Sequence, residues 1–422
     1  MWVIWAIAAL GGLIVLAYAY WVWLLAMYPE PVPADEIHWV TTRDLWKLRV
    51  YRRRPASGEG EPVLLCHGLG SNSLSLLVPP GESLADDLAA HGYDCWIVDY
   101  RGDRSAVPPY GRRPSAVQFE DYLMLDLPAV IEHIRHETGY DRVHWIGHSM
   151  GGMLLYAYEL AHGTARIASG VTLATPPGFR NSKHPGRPVL GRLVAWTRGL
   201  SAFIVRGCAP YARWFRPGQA EGLFNWDNLH PDVGPTHLFH LLDVPPGKLL
   251  MQMNDWTLRK EWRLAGEDRD LCDLLPGLRT PLFSVFTARD PFTSPDAARA
   301  FYDSLEMTDK RFLMLSEDAG ASTDYAHSEL VFAPRSAEEV FAPIAEWLAA
   351  HPIAQAETAD DVPEMVRKAS AKRKAASATA SAKKKAAANP KAAPADETAV
   401  PREAETTEET TDETEQTGDV AE

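Results

Sequence analysis

The chain has 422 residues, of which 46% are hydrophobic and 23% charged, with a formal net charge of -14. That length has room for one large α/β domain with additions, or for two domains, and the acidic balance argues against nucleic acid as the main partner of the folded part. The four cysteines, Cys66, Cys95, Cys208 and Cys272, are widely spaced with no C-x-x-C pair, so they read as buried free thiols rather than as a disulfide framework or zinc site.

Residues 1–30 read as a transmembrane anchor. Trp2 to Tyr28 carries no charge and exceeds the ~20 residues needed to cross a bilayer. No Lys or Arg precedes the run, and its end is bulky and aromatic, unlike a cleaved signal peptide. Trp2, Trp5, Trp21, Trp23 and Tyr28 suit the two interfaces, and Pro29, Pro31 and Pro33 stop the helix. The basic residues Arg43, Lys47, Arg49 and Arg52 to Arg54 all follow the span, which favours a single-pass membrane protein with its bulk in the cytoplasm.

Ile37–Asp44 and Leu45–Tyr51 alternate apolar and polar residues, as an antiparallel strand pair does. Pro62–Cys66 and Tyr93–Tyr100 read as buried strands, with a helix over Leu84–Ala90 between them. Asp121–Thr138 has helical periodicity ending at Gly139; strands follow at about Val143 and at Val171–Ala174. Strands alternating with helices predict a mostly parallel sheet covered on both faces. From about 180 to 278 the alternation stops, and a Trp-rich stretch with many prolines predicts a helical insertion. Within it, residues 190–205 are unusually apolar for a surface segment; they are expected to face either a lipid surface or a bound acyl chain, Trp196 and Phe203 among them, with the cap's internal core as the alternative. Alternation resumes with a strand at Pro281–Thr287, a helix at Pro295–Leu305, a strand at Arg311–Leu315 and a last helix at about Ala337–Ala349. Residues 355–422, first rich in Ala and Lys and then acidic, cannot bury enough apolar surface to offset ordering entropy and are expected to be disordered. The basic half of that tail is a candidate for anionic lipid or nucleic acid, beside the reading of a solvated polyampholyte with no partner.

The chemistry centres on Gly147-His148-Ser149-Met150-Gly151. A short β-branched run enters it and an amphipathic run leaves it. A serine on so tight a strand-to-helix turn projects its hydroxyl off the sheet edge, and the flanking Gly147 and Gly151 lie where a Cβ would clash. The following helix aims its N–H groups at the place an oxyanion would form. A serine needs a base, and the base needs an acid to hold its tautomer. Asp290 follows the strand at 281–287, with Asp296 as the alternative acid; His327 lies in a loop before the final helix. The oxyanion donors are then the N–H of Met150 and that of Leu69, in the H-G-L-G loop where His67 and Gly68 shape the turn. Asp99, Arg101, Gly102 and Asp103 read as a structural loop, with substrate contact as the alternative. His133 with His136, and His237 with His240, are spaced to share a helix face, but no carboxylate or cysteine cluster completes a metal site.

Taken together, H-W-V-T-T-R-D (38–44), H-G-L-G-S-N (67–72), L-A-A-H-G-Y-D-C-W-I-V-D-Y-R-G (88–102), Y-L-M-L-D-L-P-A-V-I-E-H-I (122–134) and W-I-G-H-S-M-G-G (145–152) resemble the acid-lipase-like branch of the α/β-hydrolase superfamily. The resemblance covers residues 37–350. It implies an α/β-hydrolase fold with a helical cap at about 180–278, a Ser149–Asp290–His327 triad, no cofactor, and an ester or lipid-like substrate with a sizeable apolar acyl part. Met150 departs from the glutamine usual in that branch, and the anchor and charged tail are foreign to it. Polyhydroxyalkanoate synthases share the layout but use cysteine where this chain has Ser149. The expected activity is that of a membrane-anchored esterase or lipase-like serine hydrolase. Acyl transfer on the same triad and a catalytically inactive membrane scaffold are the alternatives.

Overall fold

The computed structural model describes residues 1–180, 193 and 196–354. The tail at 355–422 and the start of the insertion therefore lie outside the described residues. The elements in chain order are α1 (Trp2–Met27), β1 (Glu36–Thr41), β2 (Lys47–Arg53), β3 (Pro62–Cys66), α2 (Leu84–Ala90), β4 (Asp94–Val98), α3 (Leu127–Thr138), β5 (Val143–His148), α4 (Met150–His162) and β6 (Ile167–Leu173). The insertion then contributes α5 (Arg198–Cys208), α6 (Pro235–Leu241) and α7 (Gly247–Arg259), and the chain returns to β7 (Leu282–Thr287), α8 (Pro295–Ser304), β8 (Lys310–Leu315) and α9 (Ala342–Ala349).

The eight strands form one sheet in the order β1-β2-β4-β3-β5-β6-β7-β8. β1, β2 and β4 pair antiparallel, and every pairing from β4 to β8 is parallel. Period-two alternation divides the core. In β3, Leu64 and Cys66 join one apolar cluster with Trp96, Trp145 and Leu154; Val63 and Leu65 join the other with Ile97, Ile146 and Phe283. The central strands are buried on both faces, which is why they read in sequence as continuous apolar runs rather than alternating ones.

Two expected helices differ in the same way. Over 121–138 the structure has a π-helical turn, Tyr122–Asp126, before α3, and over 337–349 another, Ala337–Phe341, before α9. Each leads into a helix with a proline in its first two positions, Pro128 or Pro343. Proline has no N–H and its ring crowds the preceding turn, so widening that turn accommodates the lost hydrogen bond without breaking the helix.

α1 is long and apolar enough to cross a membrane. Most of its length is exposed, but Leu24 is fully buried. The described residues of 180–278 contain helices and turns and no strand, as the insertion reading expected.

Candidate active site

The turn between β5 and α4 is built by close backbone approach. A Cβ on Gly147 would sit 2.3 Å from the carbonyl carbon of Gly151, and one on Gly151 would sit 2.2 Å from the Cys66 carbonyl oxygen. Neither distance is tolerable for a side chain, so both positions require glycine. Between them Ser149 has φ 51° and ψ -114°, a strained conformation for a non-glycine residue. Its N–H donates to the Leu173 carbonyl at 2.9 Å, which ties the turn to β6.

The structure brings three residues, far apart in sequence, into one line. The Ser149 Oγ and His327 Nε2 are 2.8 Å apart, and His327 Nδ1 and Asp290 Oδ2 are 2.8 Å apart. A carboxylate only accepts, so Nδ1 carries the proton and Nε2 is left as the acceptor for the serine hydroxyl. Asp290 is itself fixed: its Oδ1 accepts from the N–H of Phe292 at 2.7 Å and of Thr293 at 3.3 Å. Asp296 lies exposed in the first turn of α8 and has no such bond to His327 among the described contacts.

Supporting groups surround His327. His148 donates from Nε2 to the His327 carbonyl at 2.9 Å, and the two rings lie 5.2 Å apart. Burial, followed by the charge of His327, pulls His148 down to about 3, so it is neutral across the physiological range. Phe292 packs edge-on against the His327 ring at 4.8 Å. The His327 N–H donates to the Gly222 carbonyl, which pins the loop to the insertion. Glu329, fully buried, accepts from the N–H groups of Ala326 and Asn225, and burial raises it above the usual carboxylate range. Sequence reasoning passed over Phe292 and Glu329; their only local signal was proximity to Asp290 and His327.

Met150 opens α4, so its N–H has no intrahelical carbonyl to meet. The loop carrying Leu69 lies beside it, because a Cβ on Gly68 would come within 3.1 Å of the Ser149 Cβ. Behind that loop the buried His67 is 2.9 Å from the Gly68 carbonyl and 3.2 Å from Asp103. Burial opposes charging His67, but Asp103, with Asp99 beyond, outweighs it and holds the imidazole above its ordinary value. Arg101 is a structural residue: it is buried and bonds Asp126 at 2.7 Å and Asp44 at 2.8 Å.

Ser149, Met150, Leu69 and His327 all line a cavity of about 910 Å³. Its walls are apolar, from Met153 and Phe179 in the body to Leu238, Leu250 and Met253 in the insertion; Asn254 and Thr257 are among the few polar groups. That size and lining fit an extended apolar ligand with one polar end. Trp196 and Phe203 do not line it. Trp196 is exposed, and Phe203 lies 5.3 Å from the Trp21 ring of α1. α5 instead presents Ile204, Val205 and Cys208 to the cavity. Phe203 and Gly207 share the adjacent face by i, i+4 spacing, and that face is turned to α1.

The paired histidines do not converge. His133 bonds His38 at 3.1 Å while the His136 side chain is exposed, and His240 Nε2 donates to the Tyr28 carbonyl at 2.9 Å. Among the described residues, the groups that could hold a metal are His67–Asp99–Asp103 and Glu82–His230–Asp232, and neither contains a predicted pair.

Comparison with known proteins agrees with this architecture. Residues 61–212 match the model of the alpha/beta hydrolase fold family. Lipase 1 of Drosophila melanogaster is 38% identical over 123 residues, 28% of each chain. Mouse gastric triacylglycerol lipase is 34% identical over 131 residues, 28% of this chain and 33% of its own. These matched stretches thus span about a third or less of the relatives' length. An esterase from Thermogutta terrifontis superposes with a TM-score of 0.52 at 20% identity, covering 75% of this chain and all of its own, which speaks for the fold. The matching segment, the lipase relatives and the shared sheet together give this chain an α/β-hydrolase fold and a resemblance to lipases.

Proposed function

We propose that this chain is a membrane-anchored serine hydrolase that cleaves carboxylic esters with a sizeable apolar acyl group. The observation that carries the reading is the unbroken line of hydrogen bonds from Ser149 through His327 to Asp290, each 2.8 Å long, with Ser149 and His327 lining an apolar cavity. Ser149 Oγ attacks the ester carbonyl while His327 Nε2 takes its proton. Asp290 holds the imidazole in the required tautomer and stabilises the imidazolium that forms. The Met150 and Leu69 N–H groups receive the oxyanion. His327 returns the proton to the leaving alcohol, and water, activated by the same base, hydrolyses the acyl-enzyme. His148 and Glu329 are positioning residues, holding the loop that carries His327. α1 is the anchor, supported by its length, its lack of charge and its exposed surface.

The test is labelling by a serine-directed fluorophosphonate. The full chain in detergent should label and hydrolyse long-chain esters, and Ser149→Ala should lose both while its melting temperature is kept. Labelling that persists in Ser149→Ala would remove Ser149 as nucleophile.

A further inference from the structure

The insertion docks onto the end of the anchor. Tyr20 donates its hydroxyl to the Gly207 carbonyl of α5 at 2.7 Å. Trp21 lies 5.3 Å from Phe203 of α5 and 5.8 Å from Phe239 of α6. With Leu24 buried, one face of the last two turns of α1 is held by protein, while Val22, Trp23, Leu25 and Met27 stay exposed. The apolar stretch before them, Trp2 to Ala19, is roughly 27 Å long at 1.5 Å per residue. A bilayer core is about 30 Å thick, so that stretch has to cross almost alone, and whatever packs on Tyr20 and Trp21 is drawn to the interface.

What packs there has the surface of an interfacial element. Trp196 is 85% exposed, Trp214 83% and Phe215 71%, with Leu200 and Ile204 also exposed. Ile204, Val205 and Phe215 are at once exposed and part of the cavity wall, so the cavity opens within this apolar rim. An exposed aromatic rim beside a span matches a headgroup layer.

We propose that the insertion is a second membrane contact: the surface around α5 and Trp214 rests in the headgroups of the adjoining leaflet, and the cavity opens there to receive a lipid-like ester directly from the bilayer. The membrane contact rests on α1 spanning a bilayer and on none of the catalytic assignments, whereas the entry of an ester rests also on the proposed activity. Entry from the leaflet spares the apolar acyl chain a passage through water.

The test uses the full chain in nanodiscs of phosphatidylcholine with phosphatidylglycerol. An environment-sensitive fluorophore is attached at Trp196→Cys in a Cys208→Ser background. Only Cys66 and Cys95 are buried as the sequence suggested; Cys208 is exposed and is removed here, and burial pushes the half-buried Cys272 thiol up to about 12, so the new thiol is the one that reacts. Doxyl-labelled lipids should quench the probe and iodide should not. Free quenching by iodide with none from doxyl lipid would overturn the proposal, whether or not the protein turns over any ester. Activity gives a second readout. Trp196→Asp with Trp214→Asp should lower the rate on a bilayer-resident long-chain ester about tenfold, and leave a soluble butyrate ester within about twofold. Equal change on both esters, or no change on either, counts against it. Loss of all activity in the unmodified chain would instead sink the catalytic reading and leave the quenching result to decide this one.

Discussion

Lengthening the acyl chain probes the cavity and the triad together. From acetate to octanoate the substrate gains six methylenes. Complete burial of each contributes about 0.8 kcal/mol, so the ceiling is about 5 kcal/mol, or several thousandfold in kcat/KM. Ordering the chain and its incomplete burial near the cavity mouth, where Ile204 and Phe215 are exposed, offset much of that. If a third survives, kcat/KM still rises by at least about tenfold. The structure also says where to block the effect. Leu250 of α7 lines the cavity from the insertion, away from the strand ends that carry Ser149 and Asp290. Leu250→Asp puts a carboxylate against the acyl path and should erase most of the gain for octanoate, while acetate hydrolysis stays within a few-fold of the unmodified enzyme. The assay is a p-nitrophenyl ester series below micelle-forming substrate concentrations, on folded full chain in detergent. A profile that peaks at acetate would show that the cavity does not bind the acyl chain. Equal loss on every ester in Leu250→Asp would show a damaged cap rather than a blocked channel.

Two further outcomes follow from the geometry. Asp290→Asn should lower kcat by about 10⁴, the size of a lost tautomer, with Asp296→Asn near the unmodified rate; the reverse order would make Asp296 the acid. His148 links the site to pH: it is held to about 3 when folded and titrates near 6.5 when unfolded, so on acidification the unfolded chain takes the proton first. Its stability contribution is whole above about pH 6.5 and falls toward pH 3, with roughly 2 kcal/mol lost by about pH 5. His148→Gln should flatten the acid limb of a melting-temperature profile by that amount, and an unchanged slope would refute the assignment.

The elbow around Ser149 was legible because its chemistry is local. Glycines at 147 and 151, a β-branched entry and a helical exit are all written within a few residues, and the close approaches at Gly147 and Gly151 show the demand they meet. Asp290 and His327 were legible by position, since ligand-facing groups of a parallel sheet sit beyond the carboxyl ends of its strands. The π turns were not read from the sequence, because periodicity does not distinguish a widened turn from a regular one; Pro128 and Pro343 are their only local marks.

Long-range pairing is what the sequence hides. Nothing in residues 190–205 tells Phe203 apart from Ile204: both are large, apolar and adjacent. The fold turns one to Trp21 of α1 and the other to the cavity. The same holds for Glu329, whose carboxylate joins Asn225 of the insertion to the turn before His327. These contacts share a consequence. α5 holds α1 with one face and walls the cavity with the next, while Gly222 of the insertion accepts from the His327 N–H. The N-terminal helix, the cavity and the proposed base are therefore joined through the insertion, and on that proposal a change at Trp21 or Phe203 has a packed route to the chemistry without touching substrate.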